Sequence, residues 1–145
     1  MAKRVQVTFD AADPTGLAAF WAEALHYVVQ APPDGFATWD DWFRDSGIPE
    51  ERRNDVAAIL DPEGIGPRIY FQRVPEPKTA KNRMHFDVNA SGGQEVSPEV
   101  RRANVDAEVA RLTALGASDA RGPRDEYGSY WVRMNDPEGN EFCVQ

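Results

Sequence analysis

The sequence has a single cysteine, Cys143, in 145 residues. One thiol cannot form an internal disulfide, so a small secreted scaffold held by cross-links is excluded and a reducing compartment is expected. Long apolar runs are also missing, since none approaches the roughly 18 residues that would suggest a membrane span. Positive charge is scarce beside negative, with 16 Lys and Arg against 24 Asp and Glu and a net charge of −8. That balance repels phosphate backbones, and no Lys/Arg stripe offsets it, so nucleic acid is not an expected partner. The opening Met1-Ala2-Lys3-Arg4 runs straight into a strand pattern, without a secretory apolar core or a transit-peptide signature. A cytoplasmic protein with no membrane association is the expectation.

What the chain does contain is a duplication. Asp-Pro-Glu-Gly occurs at Asp61 to Gly64 and again at Asp136 to Gly139, each time leading into a run that carries apolar residues and ends at a Gln. Upstream of each lies a second matching pair, Val5-Gln6-Val7-Thr8-Phe9-Asp10 and Arg83-Met84-His85-Phe86-Asp87-Val88, each followed by a helix-like stretch. The order is the same in both halves: strand, helix, weaker strands, turn, final strand. A unit of about 70 residues buries its apolar face poorly alone, so the reading is one domain, 1–145, built from two modules. Two prolines in Val74-Pro75-Glu76-Pro77-Lys78-Thr79 interrupt ladder pairing. This extended linker separates module one, 1–76, from module two, 77–145.

The helices are legible from their ends. Asp13 is a good N-cap and Pro14 suits the first helical position, with Leu17, Phe20, Trp21, Ala24 and Leu25 on one face and a stop near His26. His tolerates left-handed backbone, so His26 reads as a cap. In module two, Val105, Val109 and Leu112 form one stripe and Leu115-Gly116 ends it. The segment from Pro32 to Asn54 has no counterpart of equal length in module two. Its Phe36, Trp39, Trp42 and Phe43 among acidic residues predict either a short amphipathic helix packed on the sheet or a lid over a cavity.

Strand parity points to a site. Val5, Val7 and Phe9 oppose Gln6, Thr8 and Asp10, and in the repeat Met84, Phe86 and Val88 oppose His85 and Asp87. In the final strands Ile69 and Phe71 oppose Tyr70 and Gln72, while Phe142 and Val144 oppose Glu141, Cys143 and Gln145. With the apolar faces under the helices, the other faces present Gln6, Thr8, Tyr70, Gln72, His85, Asp87 and Cys143. That composition suits a half-enclosed ligand-facing surface better than a solvated face rich in Lys and Glu. On the strand before the last turn, either Trp131 with Arg133 or Tyr130 with Val132 faces the same way.

These segments together resemble the vicinal oxygen chelate superfamily, which includes glyoxalase I, extradiol dioxygenases and bleomycin-resistance proteins. The match covers essentially the whole chain. It is carried by Asp13-Pro14 with Phe20-Trp21, by Arg68 to Glu76, by Lys81 to Asp87 and by Asp136 to Val144, within the glyoxalase-like branch. The resemblance implies an α+β fold of two βαβββ modules, forming a curved mixed sheet around a cavity with the helices outside. Metal-dependent members place one ligand on the first and one on the last strand of each module. The matching positions here are Gln6, Gln72, His85 and Cys143. That set has no carboxylate and at most one thiolate, a poor match for a hard divalent ion, so no cofactor is expected.

Three functions are open at this stage. The first is a small-molecule binder whose cavity between the modules is lined by Gln6, Thr8, Trp39, Trp42, Tyr70, Gln72, Trp131 and Arg133. The bleomycin-resistance form of that reading is a sequestering binder. The second is a metal-free enzyme with His85 and Asp87 as acid and base. The third is a metal-dependent lyase or isomerase of glyoxalase type, against which the absent carboxylates count. His85 also reads as a histidine without chemistry, and Cys143 as a small buried filler. A small-molecule ligand and a second copy of the chain, in a homodimer, are the expected partners.

Overall fold

Alternation in the first strand organises module one. In the computed structural model, which describes residues 4–82, 85–93, 95–126 and 129–145, β1 (Gln6–Ala11) leaves Gln6, Thr8 and Asp10 exposed. Phe9, of opposite parity, lies 5.9 Å from Trp21 of α1 (Pro14–Leu25) and 5.4 Å from Phe71. The α1 helix forms where its caps predict. Asp13 accepts from the Gly16 N–H, Pro14 opens the first turn, and His26 closes the last one in the left-handed region at φ 56°. Leu17, Phe20, Trp21 and Ala24 are buried and Leu25 is half-buried.

The chain then builds β2 from two residues only, Val28–Val29, antiparallel to β3 (Val56–Leu60). One further bond joins the Gln30 N–H to the Ala58 carbonyl. Pro32 and Pro33 follow at once, and without N–H groups they cannot extend the ladder. Among the described residues, Val56 and Ala57 at the start of β3 therefore have no strand partner on that side. Segment 32–54 contains α2 (Trp39–Asp45), capped by the Thr38 hydroxyl, and a 3-10 turn at Glu50–Arg52. Phe43 is buried, and the Trp39 and Trp42 rings meet edge-on at 5.5 Å. The amphipathic helix is thus present. The last strand, β4 (Arg68–Arg73), gives a sheet of order β1-β4-β3-β2, with β1 and β4 parallel and the other pairs antiparallel.

Module two repeats this order with β5 (Asp87–Val88), α3 (Pro98–Ala114), β6 (Ser118–Glu126), β7 (Ser129–Asn135) and β8 (Glu141–Val144), paired as β5-β8-β7-β6. The Ser97 hydroxyl caps α3. Val105 and Leu112 are fully buried, Val109 is half-buried, and Gly116 follows the helix at φ 108°. Both Asp-Pro-Glu-Gly turns fold the same way. Asp61 accepts from the N–H groups of Glu63, Ile65 and Gly66, while Asp136 accepts from those of Glu138 and Asn140. Gly64 and Gly139 supply the positive φ of each turn, 69° and 84°.

The architecture is α+β, with two βαβββ modules, each an open four-stranded mixed sheet with its own helix. The chain divides into two compact units, 1–77 and 78–145. No helix among the described residues is long and apolar enough to cross a membrane.

Candidate functional site

The short β2 opens a pocket in module one. Val56, Ala57 and Ala58, at the start of β3 where β2 is short, line a cavity of 740 Å³. The first turns of α1 contribute Thr15, Ala18 and Ala19, and α2 contributes Trp39 and Phe43. Its volume falls within the range of pockets that enclose drug-sized ligands, about 300 to 1,000 Å³. Arg68 and Tyr70 of β4 and Arg53 of the insertion complete the polar part of the wall.

A hydrogen-bonded chain holds this wall. The Asn54 amide donates to Asp13 at 2.7 Å and its oxygen accepts from the Thr15 N–H and hydroxyl, so the end of the insertion is tied to the start of α1. Hydrogen bonds from Asn54 first, and then from the Gly16 N–H, hold the Asp13 carboxyl below the usual carboxylate range. On the other side the Trp39 indole donates to the Gln30 carbonyl at 2.7 Å. Arg68 donates through Nε to Gln30 and through one terminal nitrogen to Gln6, with its guanidinium 5.1 Å from the Tyr70 ring centroid.

Module two gathers a different group. His85, Asp87 and Cys143 each offer a donor atom, and these atoms lie within 4.8 Å of one another. The His85 Nε2 stands 3.7 Å from Asp87 Oδ1, with both side chains partly exposed. Asp87 is directly opposite Cys143, which is opposite Arg133 on the next strand. Burial, and then the neighbouring Asp87 charge, push the Cys143 thiol up, so the thiolate is disfavoured there. Glu141 is on the same face, with one buried oxygen lacking a hydrogen bond, 3.6 Å from Lys81 Nζ, and the other oxygen 3.9 Å from Arg133.

The structure also decides the open alternative on β7. Val132 and Met134 are buried, and Tyr130, of the same parity, donates to Asp106 of α3 at 2.6 Å. Trp131 and Arg133 therefore share the face of Cys143. Met84 lies outside the described residues. His85 and Asp87 have the parity opposite to buried Val88, and Phe86 is half-buried rather than a full core residue.

Of the residues named from sequence, Trp39 and Tyr70 line the module-one pocket. Trp42 is half-buried beside Trp39 but does not line it. Gln6 and Thr8 are on the exposed face of β1, and Gln72 lines a shallower surface recess with Tyr70 and Arg73. Sequence reasoning passed over Arg53, Asn54, Arg68 and Glu141. Parity carried a signal for Arg68 and Glu141, which alternate with residues already singled out. Arg53 and Asn54 belong to an insertion without a repeat partner, so nothing in the pattern marks them.

Register tests the four positions that the resemblance offers to a metal. Thr8 faces Tyr70 as Asp87 faces Cys143, and the Gln72 amide donates to Asp10 just as the Gln145 amide donates to Asn89. The residue matching Cys143 is thus Tyr70, and Gln72 matches Gln145. Gln6 and Gln72 are opposite residues four apart on β1, a rise of about 13 Å, and each amide is already engaged, Gln6 by Arg68 and Gln72 by Asp10. The two glutamines do not converge, so the four-residue set does not fit a single ion. Among the described residues, the trio His85, Asp87 and Cys143 could hold a borderline cation such as zinc.

Two βαβββ modules, each closed by an Asp-Pro-Glu-Gly turn, define the vicinal oxygen chelate class of fold. The chain belongs to the glyoxalase-like domain family, which it matches over residues 6–145. Solved structures agree. A glyoxalase/bleomycin resistance protein/dioxygenase family enzyme from Burkholderia phytofirmans superposes with a TM-score of 0.61 at 16% identity, over 96% of this chain and 94% of that one. A fosfomycin resistance protein from Listeria monocytogenes, complexed with manganese(II) and dihydroxypropylphosphonic acid, gives 0.63 at 14%, over 100% and 92%. A lactoylglutathione lyase from Agrobacterium tumefaciens gives 0.55 at 16%, over 99% and 92%. At these identities the likeness is one of fold. No curated protein matches the sequence.

Proposed function

We propose that this glyoxalase-like protein binds a small organic molecule, that the module-one pocket receives it, and that no resident metal is needed. The observation that carries the reading is the 740 Å³ cavity, where Trp39, Phe43 and a run of small aliphatic residues meet two arginines. Apolar walls with a few placed polar groups are the usual composition of a ligand site. The failure of Gln6 and Gln72 to converge supports the metal-free form. The test is a fragment screen by thermal shift, followed by tryptophan fluorescence. Hits are expected to quench emission, and Trp39→Phe is expected to remove most of that response. Hits whose quenching survives Trp39→Phe unchanged would place the ligand elsewhere.

A second reading has its own support. The His85, Asp87 and Cys143 group places an imidazole 3.7 Å from a carboxylate, close enough for a proton to pass through one water. A lactoylglutathione lyase and a fosfomycin resistance protein solved with manganese(II) share this fold, which is compatible with such a reading. Transfer of a lyase or isomerase activity would require a substrate whose turnover depends on His85. Loss of such an activity in His85→Ala, with ligand binding retained, would favour this reading over simple sequestration.

A further inference from the structure

The charged groups around the module-one pocket are not equally free. Asp13 is committed to the α1 cap and to Asn54. Arg68 is committed to Gln30 and Gln6 and lies over Tyr70. Asp40, at the mouth, has a side chain 70% exposed, and Glu50 is exposed as well. Arg53 differs. Its side chain is only 25% exposed, its Nε is buried without a hydrogen-bond partner, and one terminal nitrogen forms a loose ion pair with the exposed Asp40 at 3.7 Å, too long for a hydrogen bond. A guanidinium three-quarters buried in the pocket wall, whose one ion pair is loose and whose side chain makes no hydrogen bond among the described residues, keeps its terminal nitrogens available to an acceptor entering the pocket.

We infer that the pocket takes an organic monoanion, a carboxylate with an apolar body, and that the terminal nitrogens of Arg53 hold the carboxylate. The inference rests on the reading that this pocket is the ligand site. The fork of a guanidinium matches a carboxylate in two parallel hydrogen bonds. Trp39, Phe43, Val56, Ala57 and Ala58 provide the surface that an aryl or alkyl body would cover. The carboxylates of Asp40 and Glu50 at the mouth, on a chain of net charge −8, select against doubly charged groups such as phosphate esters.

Calorimetry with matched probes tests this on the wild-type chain: 3-phenylpropionate, indole-3-acetate and hexanoate, each against its neutral amide, with 2-phenylethylammonium as the cation. At least one carboxylate is expected to bind tenfold or more tightly than its amide. Arg53→Gln is expected to remove that preference, and Arg53→Lys to restore part of it, with melting temperatures near wild type. Equal binding of acid and amide, tighter binding of the cation, or a preference untouched by Arg53→Gln would overturn the inference while leaving the pocket as a ligand site. Should Arg53→Gln fail to fold, the acid-to-amide ratio on wild type decides alone. Ala19→Trp fills the pocket from an exposed position on α1. Binding that persists in Ala19→Trp, or no binding by any probe, would sink the pocket reading itself and the inference with it.

Discussion

The side-chain amide of Gln72 donates a hydrogen bond to the Asp10 carboxylate at 2.9 Å. That bond ties the last strand of module one to the first at the end away from Gln6, and keeps the two glutamines apart. Burial and the Asp87 charge also disfavour the Cys143 thiolate that the remaining trio would need. Dialysis against a chelator is therefore expected to leave the melting temperature unchanged, since an ion bound tightly to the native state would stabilise it by mass action. One equivalent of zinc, nickel or manganese per chain, removable only with loss of stability, would contradict this.

Core and half-buried aromatics separate by burial. Phe71 is fully buried against Phe9, so Phe71→Ala is expected to cost about 3 to 5 kcal/mol. Phe86 is half-buried, and Phe86→Ala is expected to cost about half of that. Denaturant midpoints of the two variants check the order.

Asp13 caps α1, and its carboxyl titrates below its ordinary value because Asn54 and Gly16 donate to it. A lowered folded-state pKa contributes stability above the unfolded value of 3.8, and that contribution is lost as pH falls through the folded value. Asp13→Ala is expected to cost about 1 kcal/mol at neutral pH. Asp13→Asn keeps a capping oxygen and is expected to flatten the acid limb of a stability-against-pH curve. An unchanged acid limb in Asp13→Asn would remove this role.

Tyr130 works at the other end of the scale. Its hydroxyl donates to Asp106, which pushes its pKa up to about 12 from the ordinary 10. The neutral form is favoured in the folded state, so this contribution is complete below pH 10 and declines as pH rises toward 12. Tyr130→Phe is expected to lose some stability at neutral pH and to show a shallower alkaline decline than wild type.

We propose a homodimer. The β2 edge of module one exposes Val28 and Val29 at 49% and 52%, and a second copy is the simplest cover for such an edge. Light scattering at tens of micromolar, an order-of-magnitude choice for a stable interface, is expected to give twice the chain mass. A purely monomeric species would contradict it.

Much of the fold was legible because it is periodic. The two Asp-Pro-Glu-Gly turns, the Asp13-Pro14 cap and the alternation in β1 and β4 are local signals, and each reappears in the structure, whereas in β8 Phe142, Cys143 and Val144 are all buried. The nine-residue β6 was not legible. Its bulge between Asp119 and Pro123 interrupts the alternation, with Asp119 bonding the N–H groups of Arg121 and Gly122. The site was legible by face and not by place. Parity found His85, Asp87 and Cys143 together, yet the pocket depends on Pro32 and Pro33 ending β2, a consequence of register that no single motif displays. Arg53 is conspicuous only once its burial is known.

The binding we propose is of an organic ligand, in module one and without a metal. Calorimetry of a confirmed ligand against chelator-treated wild type and against Ala19→Trp tests it most directly. The prediction is an affinity unchanged by the chelator and abolished by Ala19→Trp. Binding that disappears with the chelator and survives Ala19→Trp would contradict it.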